Sequence, residues 1–131
     1  MVLSEYLRAM LLGYAITITV ETIVLLLLLS RRHSVRVRVF AGVWLTACTY
    51  PVVWFVLPPL FSAEQRWLYL LVAEIFAPVA ECVIFWFAFI RPLPPERRAT
   101  LRDWLAITVA NLASFGIGEV VAIEKLLAIL S

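Results

Sequence analysis

Four apolar runs, separated by short polar links, make up almost the whole chain: residues 6–29, 39–61, 67–90 and 104–130. Each exceeds the roughly 20 residues that a helix needs to cross the hydrocarbon core of a bilayer. Backbone N–H and C=O groups find no water in lipid, so such runs pair their own backbone as helices. The runs are continuous rather than strictly alternating, which argues against a membrane β-barrel. The links at 30–38, 62–66 and 91–103 are short, and short links favour antiparallel neighbours. The pattern predicts an all-α, integral membrane four-helix bundle of up-down topology, forming a single membrane domain over residues 1–131. The third link carries Pro92, Pro94 and Pro95, so an extended stretch is expected there, followed by a short interfacial helix.

Composition strengthens the membrane reading. Of the 131 residues, 64% are hydrophobic and 15% charged, and mean hydropathy is +1.00. A soluble domain is roughly 45–50% apolar and about 25% charged. The first run is followed by Ser30-Arg31-Arg32 rather than by small residues suited to cleavage, so it reads as a retained helix.

Net charge is only +2, and the placement of the charges is more informative. The first and third links share one side and hold Arg31, Arg32, Arg36, Arg38, Arg91, Arg97, Arg98 and Arg102. The opposite side holds Arg8, Arg66 and Lys125. The positive-inside rule predicts both termini outside and links 30–38 and 91–103 in the cytoplasm, in a multi-pass protein of the bacterial inner membrane. Trp67 and Trp104 stand at span ends, where indole anchors are favoured. Anionic headgroups account for the basic links, and no nucleic-acid partner is expected.

Polar residues inside the spans change the picture most. A carboxylate at the bilayer centre costs at least about 2.5–3.5 kcal/mol on insertion scales. The spans nevertheless contain Glu21, Glu74, Glu81 and Glu119, and no Lys or Arg at comparable depth. Gly13, Thr17 and Glu21 share a helix face, as do Thr46 with Thr49, Glu74 with Pro78 and Glu81, and Asn111 with Ser114 and Gly118. At about 1.5 Å rise per residue, Glu21 and Glu81 both lie about 13 Å from the cytoplasmic end. Thr49 and Ser114 lie about 15 Å in, and Asn111 about 10 Å. One polar layer drawn from all four helices is therefore expected, with Glu74 and Glu119 forming an outer pair. Pro51 and Pro78 each leave a helix carbonyl without its usual donor, close to this layer. Ala110, Ser114 and Gly118 form a small-residue line that permits close helix approach, within the chain or between copies.

Three chemistries suit such carboxyls. They can be neutral and hold the bundle together through hydrogen bonds. They can carry protons or bind a cation, the metal (if any) being unspecified. They can meet a compensating charge on a membrane-protein partner or a second copy of the chain. Motifs for an enzyme are missing: there is no HExxH, GxSxG, Glu-x-x-His or phosphate-binding glycine loop, and no cofactor is expected. Cys48 and Cys82 lie in apolar runs without metal-ligand spacing and read as small buried residues. His33, among arginines, is expected at headgroup level. The Phe85-Trp86-Phe87-Ala88-Phe89 stretch is expected to face lipid, a pigment or quinone contact being the alternative.

The order of these features resembles a family of small, functionally uncharacterised bacterial four-span membrane proteins. The resemblance rests on Glu21-Thr22, Thr49-Tyr50-Pro51-Val52-Val53-Trp54, the pair Glu74 and Glu81, and Asn111-x-x-Ser114-x-x-x-Gly118. It covers most of the chain and implies the four-span fold and the polar layer. Thr46 departs from it, since an Asn is the commoner residue at that position. The functional expectation is an ion- or proton-linked transport or binding role centred on Glu21 and Glu81, supported by Thr17, Thr46, Thr49, Asn111 and Ser114. The alternative is a non-catalytic subunit or assembly factor of a larger membrane complex.

Overall fold

A computed structural model describes residues 3–130, leaving aside the side chains of residues 123, 126, 127, 129 and 130. It is all-α among the described residues, with helices α1 (Leu3–Leu28), α2 (Val35–Pro51), α3 (Arg66–Phe85) and α4 (Arg97–Leu130). Two π-helical segments prolong the middle helices, Val52–Val56 after α2 and Trp86–Ile90 after α3, and 3₁₀ turns at Pro58–Leu60 and Ala63–Gln65 join them. The first π segment directly follows Pro51, whose missing N–H interrupts the regular ladder. All four helical stretches are long and apolar enough to cross a membrane.

The helices overrun the apolar spans on one side. α2 begins at Val35 rather than near residue 39, because Ser34 caps it, its hydroxyl accepting from the Val37 N–H at 3.3 Å. α4 begins at Arg97 and continues unbroken through Trp104, so the expected separate interfacial helix is the first turns of α4 itself.

Cross-helix pairs fix the topology. Tyr6 with Trp54 and Tyr50 with Met10 tie the start of α1 to the end of α2. Thr49 with Glu81 and Tyr69 with Val53 run α2 against α3 in opposite directions. Ser30 with Asp103 and Glu21 with Ser114 do the same for α1 and α4. Each helix packs on its two neighbours, α4 closing back onto α1, in an up-down bundle.

The bundle inverts the soluble arrangement of apolar inside and polar outside. Leu27, Trp67 and Leu105 are 70%, 67% and 65% exposed, while Glu21, Thr46, Thr49, Glu81, Asp103, Asn111 and Ser114 are buried. Most of the buried apolar side chains form one compact block: Leu25 of α1 and Leu29 just after it, Ala41 and Leu45 of α2, Phe85 and Ile90, and Ala106, Ile107 and Ala110 of α4. On every helix this block lies on the link-one and link-three side of Glu21, Thr46, Thr49, Glu81, Asn111 and Ser114. Phe85 is fully buried within it, so the aromatic stretch of residues 85–89 is not uniformly outward-facing: Phe87 is exposed, whereas Phe85 and Ile90 point inward.

Gly42 marks the tightest helix contact. A Cβ there would come within 2.7 Å of the Thr22 Cα, a backbone atom that cannot yield without moving α1. By contrast, a Cβ on Gly118 would meet nothing within 4 Å, so the small-residue line on α4 makes close contact at Ala110 and Ser114 but not at Gly118. Gly42→Ala should therefore destabilise the bundle by about 1–3 kcal/mol, as overpacking does. Gly118→Ala should be neutral or slightly stabilising. Thermal unfolding of both variants in one detergent would check the contrast.

Candidate functional site

Two carboxyls lie at the centre of the bundle, on helices that face each other across it. Glu21 of α1 accepts from Thr46 Oγ1 of α2 at 2.6 Å and from Ser114 Oγ of α4 at 2.9 Å. Glu81 of α3 accepts from Thr49 Oγ1 of α2 at 2.7 Å and from Asn111 Nδ2 of α4 at 2.7 Å. All four carboxyl oxygens are thus occupied, and both residues are 3% exposed or less.

Helical geometry explains why α2 and α4 serve both acids. A step of three residues turns about 300°, which leaves two side chains about 60° apart on one face. Thr46 and Thr49 therefore splay toward α1 and α3. Asn111 and Ser114 repeat the device on α4, in the opposite order because α4 runs parallel to α2 but faces it from across the bundle, so the same helical turn steps from α3 to α1. One i, i+3 pair per helix supplies each acid with a donor from each side.

The hydroxyls have a second acceptor in reach. Thr46 Oγ1 lies 2.8 Å from the Gly42 carbonyl, Thr49 Oγ1 3.2 Å from that of Leu45, and Ser114 Oγ 3.0 Å from that of Asn111. A hydroxyl has one proton to give and two lone pairs to receive with. Against an ionised carboxylate it donates to the carboxylate. Against a neutral carboxyl it can turn its proton to the carbonyl and accept the carboxyl O–H. Both protonation states of Glu21 and Glu81 can therefore be satisfied without moving a helix.

A cavity of about 550 Å³ reaches this layer from the link-two end. Glu21, Thr46, Thr49, Asn111 and Ser114 line its floor, and Glu81 lies behind them. Thr17, Glu74, Gly118 and Glu119 line its walls, and Arg66 and Lys125 its outer part. The sequence-predicted polar residues thus divide in two: six join in the bonded layer, while Thr17, Glu74 and Glu119 face the cavity. On the other side of the layer the apolar block fills the bundle, and the cavity does not continue through it.

Beyond the block lies a second polar cluster, which sequence reasoning missed. Asp103 is fully buried and accepts from the Ser30 backbone N–H at 2.8 Å and from Arg32 Nη2 at 2.9 Å. Its Oδ2 is also 2.8 Å from His33 Nε2. An ionised carboxylate only accepts, so that nitrogen carries the proton. His33 is 6% exposed and stacks edge-on against Phe85, so it does not sit at headgroup level as expected. Arg38 donates to the carbonyls of Leu26, Ser30 and His33, and Arg102 to that of Leu28. The Leu26 and Leu28 carbonyls are among those that the end of α1 leaves without helical partners, and those of Ser30 and His33 belong to link one. Half-buried Arg32 and Arg38 thus close the end of the bundle, whereas Arg102 reaches it from an exposed position and Arg31, Arg36, Arg91, Arg97 and Arg98 are likewise exposed. The available signal was the single Asp of the chain, next to Arg102 at the edge of a span.

No family model, no curated protein and no solved structure matches this chain.

Removing one partner of a buried ion pair strands the other, at a cost of about 3–5 kcal/mol. Asp103→Ala should therefore lower the unfolding midpoint in detergent far more than Glu96→Ala in the exposed part of the same link. Equal midpoints would refute the assignment of Asp103 as the closure of the bundle.

Proposed function

We propose that this chain is a small multi-pass protein of the bacterial inner membrane that takes up and releases protons, or exchanges them for a cation, at Glu21 and Glu81. Both termini lie outside, links 30–38 and 91–103 face the cytoplasm, and the cavity opens to the outer side. The observation that carries this reading is the pair of buried carboxyls whose hydroxyl partners each have an alternative carbonyl acceptor. A purely structural network needs one satisfied protonation state, whereas this one has a partner set for two.

The surroundings support the reading. Intramembrane ionisable residues are costly and tend to mark ion or proton pathways. Glu74 and Glu119 line the route from the cavity mouth to Glu21. The apolar block beyond the layer closes the cytoplasmic side, which is the arrangement of a site open to one side at a time. The six exposed arginines on links one and three favour the proposed orientation.

Purified protein in liposomes with an internal pH dye provides the test. An imposed pH gradient should dissipate faster with the wild type than in empty vesicles. Glu21→Gln and Glu81→Gln keep the side-chain shape and remove the titrating group, so each should reduce that flux at least tenfold. Flux in both variants equal to the wild type would sink the proposal. Co-purification with a larger complex that the same substitutions weaken would favour the subunit reading instead.

A further inference from the structure

The cavity above the acid layer is much larger than a proton or a single inorganic cation requires. About 550 Å³ lies within the 300–1,000 Å³ range of small-molecule sites. Its lining combines rings with carboxyls in a way that narrows the chemistry of an occupant.

The tyrosine hydroxyls of the lining have no protons left to offer. Tyr6 donates its hydroxyl proton to the Trp54 carbonyl at 2.7 Å, Tyr50 to that of Met10 at 2.9 Å, and Tyr69 to that of Val53 at 2.9 Å. The Tyr6 and Trp54 rings meet edge-on at 5.3 Å, and Tyr50 leans on Trp54 at 5.7 Å. With the three hydroxyl protons committed to the backbone, the tyrosine and Trp54 rings contribute mainly π-electron surface to the lining. The floor donors, Thr46, Thr49, Asn111 and Ser114, are directed at Glu21 and Glu81. At the floor an anion would meet donors already directed at carboxyls.

Acceptors, in contrast, are unspent. Glu74 and Glu119 line the cavity and have no hydrogen-bond or ion-pair partner among the described residues. The basic residues of the lining, Arg66 and Lys125, are exposed side chains at its outer part. No group of three His, Cys, Asp or Glu side chains converges to hold a metal ion among the described residues. Dispersed carboxyls with aromatic faces between them suit a diffuse positive charge on an apolar body, held by cation–π and electrostatic attraction.

We infer that the cavity between Tyr6, Trp54, Tyr69, Glu74 and Glu119 binds an organic cation of the ammonium or phosphonium class. This rests on the reading of the cavity as the access route to Glu21. Proton occupancy of Glu21 and a bound cation would then oppose each other, since each neutralises the same negative charge.

Tetraphenylphosphonium and its isosteric anion, tetraphenylborate, separate charge from shape. Equilibrium dialysis against protein in nanodiscs, with empty nanodiscs subtracted, should show saturable binding of the phosphonium and none of the borate. Glu74→Gln and Glu119→Gln should together weaken phosphonium binding at least tenfold, and Glu124→Gln, which is outside the lining, should not. Saturable binding of both ions alike, or phosphonium binding unchanged in the double variant, would overturn the inference. So would absence of saturable phosphonium binding to the wild type. If proton flux in the liposomes still depends on Glu21, the proton reading stands without it; if neither is observed, both fail.

Discussion

Every helix of this bundle is held by the need to give two buried carboxyls four hydrogen bonds. Without them Glu21 and Glu81 would be uncompensated polar groups in an apolar interior, a cost of several kcal/mol apiece. Helix association in lipid gains little from apolar burial, because lipid tails are as apolar as the side chains. Packing and polar contacts then decide which faces turn inward. Here the acids select the facing sides of α2 and α4, and the splay of an i, i+3 pair lets each helix meet both acids at once.

The remaining layers follow along the bundle axis. Toward links one and three, Leu25, Leu45, Phe85 and Ile107 pack into a block. Toward link two the small and aromatic side chains leave the helices apart, and the cavity forms. The basic end is closed by Asp103 and by arginines that complete the carbonyl ends of α1. The molecule is thus polar, apolar, polar and hollow in succession, with Gly42 against Thr22 as a contact between α1 and α2 that leaves no room for a Cβ.

Much of this order was legible in the sequence because it depends on one-dimensional quantities. Run length gave the helices, and rise per residue brought Glu21, Thr49, Glu81, Asn111 and Ser114 to similar depths. What eluded it depends on azimuth and on distant pairing. Depth alone did not say that Thr46 belongs to Glu21 and Thr49 to Glu81. Asp103 and His33 are 70 residues apart, each in a stretch whose local composition reads as solvated, and no periodicity joins them. The helix starts at Val35 and Arg97 were hidden because capping and arginine pairing extend helices beyond the apolar runs.

The splayed pair on α2 has a mechanical consequence. Thr46 and Thr49 are carried on one rigid helical turn, each directed to a different acid. A rotation of α2 about its axis swings both hydroxyls through the same angle, so it cannot detach one carboxyl while leaving the other undisturbed. The same holds for Asn111 and Ser114 on α4. Glu21 and Glu81 are therefore geared: whatever turns the helix at one acid is transmitted to the other, through a linkage no longer than a single turn of helix.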